Sequence, residues 1–149
     1  MEAIDFRHIA DHLLACPPKN KEEAAERTAV NRLYYAAYIH ARDVMRSWGC
    51  SLGVAGGHSQ VFEGLKCSGV RDIIEIGHKI AELFSERLSA DYKTEQPRGF
   101  DVQKLRLLHE HVVEELGCRW SHLTSAERSE ALDKIQRRVT SIEERSRRQ

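Results

Sequence analysis

Apolar residues recur along this chain at intervals of three and four, and no segment alternates with a period of two. That pattern predicts helices throughout and no sheet. The first apolar stretch runs from about Ile4 to Ala15, with Phe6, Ile9 and Leu13 on one side, and Pro17 and Pro18 stop it. Asn20 reads as the cap of a second helix, with Glu23 completing a capping-box-like start. Val30, Leu33, Tyr34, Ala37, Tyr38, Ala41, Val44, Met45 and Trp48 then mark the clearest helical face in the chain, and Gly49 is the expected residue just past its end.

A glycine-rich turn, SLGVAGGHSQ, leads into a short helix from about Ser59 to Lys66. A fourth helix is expected over roughly Val70 to Tyr92, with Ile73, Ile76, Ile80, Leu83, Phe84 and Leu88 facing inward. The loop TEQPRG separates it from a fifth helix, about Asp101 to Leu116, that buries Val102, Leu105, Leu108, Val112 and Leu116. Thr124 and Glu127 form a second capping box and open a charged last helix with a thin stripe of Leu132, Ile135, Val139 and Ile142. That stripe either caps the bundle or contacts a partner chain. The fold class is therefore all-α, an up-and-down bundle of five to six helices, because most connections are short. Residues 1–120 are expected to form the bundle, and residues 121–149 a charged helix packed on it or extending from it.

Composition narrows the function classes. The 149 residues suit one domain, and 41% hydrophobic content suffices for one core. Lys plus Arg and Asp plus Glu each total 23, so there is no global pull toward nucleic acid or anionic lipid, and an RNA-binding surface has to be a local patch. Cys16, Cys50, Cys67 and Cys118 form no C-x-x-C pair and read as reduced thiols. The opening MEAIDFRHIADHLL carries acids and histidines, unlike a secretory signal, and no run approaches the roughly 18 apolar residues of a membrane span. The expected location is the cytoplasm, with no membrane association. The glycines of SLGVAGGHS follow no strand and lack the Lys-Ser/Thr of a P-loop.

Candidate chemistry centres on Arg87. It lies four residues after Leu83 and three after Phe84, on the bundle side of its helix. An inward guanidinium needs a partner, and Asp91 at i+4 can supply a carboxylate. Tyr92 adds a hydroxyl at the same helix end. Two readings stand: an internal ion pair that locks the helix end, or an arginine in a cleft that binds phosphate. The second helix offers a matching polar set, Asn31, Arg32 and Tyr35; Asn31 and Tyr35 share a face, and Arg32 alone reads as a solvated residue.

The stretch RTAVNRLYYAAYIHARDVM (Arg27 to Met45), with its Arg-x-Tyr-Tyr-Ala-Ala pattern, resembles the tyrosine-rich second helix of small HEPN-domain proteins. GHSQVFEGL (Gly57 to Leu65) is similar to their connecting segment, and ERLSADYKT (Glu86 to Thr94) to the Arg-x-x-Ala-Asp-Tyr ending of one subgroup. The three motifs fall in the expected order over roughly residues 4 to 116. The resemblance implies a helical bundle that forms a homodimer. It also implies a metal-independent endoribonuclease without cofactor, in a toxin–antitoxin or phage-defence system, with an antitoxin or nucleotidyltransferase partner. The family's nuclease motif is an arginine, four to six residues, then a histidine. Arg87 matches the arginine, but Leu88 to Thr94 contain no histidine.

That departure matters chemically. Metal-free RNA cleavage needs a group that takes the 2′-hydroxyl proton near neutrality; an imidazole suits this, and a tyrosine is mismatched by several pKa units. Tyr92 could serve only with a strongly lowered pKa or as a positioning donor. Among the other histidines, His40 lies on the second helix, His58 opens the short helix, and His78 is more than two turns upstream of Arg87. His58 is the best placed of the three, although it also reads as a helix-start residue facing water. The site set is therefore Arg87, Asp91 and Tyr92 for chemistry, with Asn31, Arg32, Tyr35 and His58 around the substrate. A non-catalytic HEPN-like binding or assembly module is the alternative, as is a chain modified on a tyrosine by a partner nucleotidyltransferase. His8 and His12, at i and i+4, form only a weak metal signal, so no metal site is expected.

Overall fold

The computed structural model describes residues 2–54, 57–92 and 99–149. These form six helices: α1 (Ala3–Ala15), α2 (Glu22–Ser47), α3 (Ser59–Lys66), α4 (Arg71–Tyr92), α5 (Val102–Ser121) and α6 (Ser125–Arg147). No strand occurs among the described residues, and among them no helix is long and apolar enough to cross a membrane. The loop TEQPRG lies outside the described residues apart from Gly99. The long second helix is the hub, packing on α1, α4 and α5, while α3 lies against α4 and α6. Leu33, Met45, Leu65, Ile76, Ile80, Leu83 and Leu116 are fully or almost fully buried. Each such side chain contributes about 1.5–3 kcal/mol relative to exposure.

The helix ends follow local chemistry, with three departures from the sequence reading. Gly49 does end α2: with φ +94 it lets its own N–H reach Arg46 O (2.9 Å) and the Cys50 N–H reach Met45 O (3.1 Å), a Schellman closure. Thr124 and Glu127 form the expected capping box of α6. Asn20, however, does not cap α2. It adopts φ +60, which asparagine tolerates, and Lys21 occupies the cap position without a side-chain bond. The fifth helix continues past Gly117 to Ser121, because Trp120 stacks on Trp48 with ring centroids 3.9 Å apart and 10° between planes. That stack offsets the roughly 1 kcal/mol a helical glycine costs. On α1 the buried position is Ala10, flanked by the partly buried Phe6 and Leu13, and Ile9 is 38% exposed.

Helix α3 has eight residues, too few to persist alone. Close approach holds it. A Cβ on Gly77 of α4 would lie 2.9 Å from Lys66 N and 3.0 Å from Phe62 O, so the two backbones meet there without room for a methyl group. On the other side, a Cβ on Gly64 would meet Val139, Met45 and Ile135 at 3.2–3.4 Å. The stripe of α6 therefore closes over α3: Ile135 and Val139 are fully buried within the chain. Arg138 donates to Glu63 (3.2 Å), and Gln136 exchanges two hydrogen bonds with the Ser51 backbone (2.8 and 3.1 Å).

A polar cluster joins α1 to α5. Arg7 donates to His109 Nδ1 (3.0 Å) and Glu110 Oε1 (2.9 Å), and pairs with Asp11 at 2.9 Å. Burial pushes the His109 imidazole down to about 4, with further lowering from Arg7 and His40 against the opposing pull of Glu110 and Asp11. The unfolded chain, at the ordinary 6.5, takes up this proton first. This contribution to stability is whole above pH 6.5 and is lost as the pH falls toward about 4, a loss of about 3 kcal/mol by the end of the window.

Two outcomes are expected. Gly77→Ala destabilises the fold by about 1–3 kcal/mol in urea unfolding, although alanine is the better helix former; unchanged or higher stability would contradict the close approach. His109→Gln, which keeps an acceptor for Arg7, flattens the fall in unfolding free energy between pH 6.5 and about 4. An unchanged slope would place the acid sensitivity elsewhere.

Candidate functional site

Helical spacing collects an aromatic cluster beneath α3. Tyr34, Tyr35 and Tyr38 share one side of α2, and Phe84 and Arg87, three apart, share one side of α4. His58 stands at the cap position of α3, but its side chain makes no cap hydrogen bond. It turns instead onto the cluster, with its ring centroid 4.5 Å from Tyr38, 5.5 Å from Tyr34, 5.6 Å from Tyr35 and 5.8 Å from Phe84. Its Nδ1 lies 2.6 Å from the Tyr34 hydroxyl.

Arg87 borders this cluster. Its side chain is 16% exposed, and the guanidinium carbon sits 5.8 Å from the centroid of the Tyr35 ring. Phe6 of α1 stacks on the same tyrosine at 5.8 Å. Arg87 Nε lies 2.9 Å from Asp91 Oδ2, without the alignment of a hydrogen bond, so the contact is mainly charge on charge. Asn31 Nδ2 donates to both Asp91 oxygens, at 3.1 and 3.0 Å. A carboxylate is unfavourable at a helix C-terminus, where the dipole is already negative; Arg87 and Asn31 offset that. The helix end is closed by Arg27, which donates to Ala90 O (3.1 Å) and pairs with Glu23 (2.8 Å).

Burial sets the proton states. It pushes the Tyr34 phenol well above its usual range, assisted by Tyr38 and Tyr35 and opposed by Arg87. Burial also lowers the His58 imidazole, and the Arg87 charge lowers it further. Tyr38 is raised by burial too. The cluster thus sets the Arg87 guanidinium and its Asp91 counter-charge near an imidazole held neutral and the protonated phenols of Tyr34 and Tyr38. A cation close enough to act on a neutral imidazole is a combination that can bind a phosphate oxygen and move a proton.

The structure brings Arg87, Asp91, Asn31, Tyr35 and His58 together. Tyr92 stands apart from that cluster, and Arg32 lies at its edge. Tyr92 is 72% exposed and has no ring contact or hydrogen bond with the cluster. Arg32 stacks over Phe6 at 5.6 Å and lines a surface groove with Asn31 and Asp91. Of the other histidines, His78 is exposed, and His40 borders a groove with His109 between α1, α2 and α5. Tyr34 belongs to the site although its spacing marks it only as core. Among the described residues, no group of three or more His, Cys, Asp or Glu side chains is arranged to hold a metal ion, and all four cysteines are free. Comparison with protein-family models, with curated proteins and with solved structures finds no match for this chain.

The His58 ring faces Arg87 from α4 and Tyr34, Tyr35 and Tyr38 from α2. In a proton NMR titration it is expected to titrate below 6.5, and Arg87→Gln is expected to move its midpoint up. A wild-type midpoint at or above 6.5 would contradict the described burial.

Proposed function

We propose that the chain is a HEPN-like protein that cuts RNA without a metal ion, with Arg87 holding the scissile phosphate and His58 moving the proton. The observation that carries this reading is the seat of His58. The stretch after Arg87 lacks a histidine, and α3 supplies an imidazole from elsewhere, close enough for the Arg87 charge to lower its pKa. In the reaction, His58 takes the proton of a 2′-hydroxyl, the 2′-oxygen bonds to phosphorus, and the bond from phosphorus to the 5′-oxygen breaks. Solvent protonates the leaving oxygen, and the imidazolium returns its proton to solvent. Arg87 stabilises the charge that gathers on the phosphate oxygens. Asp91, held by Asn31, orients the guanidinium. The family resemblance further supports a homodimer acting in the cytoplasm within a toxin–antitoxin or phage-defence system, beside an antitoxin or nucleotidyltransferase partner.

A second reading, a binding or assembly module that does not cut, draws on one observation. Asp91 already lies 2.9 Å from Arg87, so an incoming phosphate has to share the guanidinium with a carboxylate.

Incubation of the purified chain with mixed RNAs in EDTA separates the two. The nuclease reading expects cleavage by wild type, and a loss of about a hundredfold or more in Arg87→Ala and in His58→Ala. Intact RNA at high protein concentration would leave the binding module. Equal cleavage by wild type and both variants would show that neither side chain is responsible.

A further inference from the structure

Tyr34 is fully buried, and its hydroxyl has one hydrogen-bond partner among the described residues, Nδ1 of His58. A phenol has one hydrogen to donate, and burial keeps it in place. If Tyr34 donates, Nδ1 accepts and the neutral ring carries its proton on Nε2. That nitrogen is not among the buried atoms lacking a partner, so this arrangement strands no donor. If Nδ1–H donates instead, the phenolic hydrogen of Tyr34, whose ring packs against those of Tyr35, Tyr38 and Phe84, has no acceptor among the described residues. Stranding a buried donor disfavours the second arrangement by roughly ten- to a hundredfold. The imidazolium is disfavoured in the same way, since both of its nitrogens donate.

We propose that Tyr34 is a positioning residue that fixes His58 as the Nε2–H tautomer, so that the resting site offers two donors, Arg87 and His58, to a phosphate oxygen. Cleavage then begins from the minor tautomer: one proton is taken up at Nδ1, one is lost from Nε2, and the ring stays neutral. Tyr34 thereby favours holding a phosphate over cutting beside it. The part of this inference that concerns cutting rests on the ribonuclease reading; the part that concerns the tautomer does not.

The test is a long-range proton–nitrogen NMR spectrum of the full chain with nitrogen-15-labelled histidine. In wild type, His58 is expected to show an unprotonated Nδ1 and a protonated Nε2. A protonated Nδ1, or two averaged nitrogens, would overturn the proposal whatever any variant does. In Tyr34→Phe, shown to be folded by circular dichroism and its melting curve, the two nitrogens are expected to move toward averaging; a spectrum still locked as Nε2–H would show that Tyr34 does not set the tautomer. Inorganic phosphate added to wild type should shift the Nε2–H signal, and the absence of any shift would overturn the donor role. In the EDTA assay Tyr34→Phe is expected to cut RNA roughly tenfold faster than wild type. If wild type cuts nothing while its spectrum is as expected, the ribonuclease reading fails and the tautomer assignment stands.

Discussion

A largely buried guanidinium resting against a tyrosine ring needs a counter-charge, and Asp91 supplies it to Arg87 across 2.9 Å. The surrounding site follows from that requirement. The carboxylate lies at the C-terminus of α4, where the helix dipole opposes it, so Asn31 of α2 holds both of its oxygens. The cation rests against Tyr35, and its field helps keep the nearby imidazole neutral. Removing Asp91 alone would leave a largely buried guanidinium without its counter-charge.

The imidazole reaches this cation because of how α3 is seated. An eight-residue helix has little stability of its own, and its position is set by two glycines with opposite faces to serve. Gly77 lets the backbones of α3 and α4 meet, and Gly64 admits Met45, Ile135 and Val139. The last helix closes over the outside through Glu63 and the Ser51 backbone. Packing away from the aromatic cluster thus fixes where His58 stands.

Much of the fold was legible along the chain because the core-facing positions of α2, α4 and α5 keep an unbroken helical spacing, while Gly49 ends α2 and Thr124 opens α6 by local rules. The departures came where distant contacts override local preference. Trp48 carries α5 past Gly117, and the left-handed turn at Asn20 removes it from the cap. For the site, Arg87, Asp91, Asn31 and Tyr35 were readable from i, i+4 geometry within two helices. Tyr92 lies exposed, and spacing alone does not tell which way a residue at the last turn of a helix faces. The depth of His58 was not readable, because its neighbours in sequence describe a glycine-rich turn while its neighbours in space come from α2 and α4. Tyr34 looked like core, and it is core; its role comes from the single polar atom it carries inside.

The central claim is that Arg87 and His58 form one site for one phosphate. A double-mutant cycle tests it most directly, using affinity for a 2′-deoxy oligonucleotide that cannot be cut by this chemistry. Wild type, Arg87→Ala, His58→Ala and the double variant would be compared. If both groups hold the same phosphate, the two losses do not add, and the coupling falls within about 0.5–3 kcal/mol. Losses that simply add, or single variants that bind as well as wild type, would contradict a shared site.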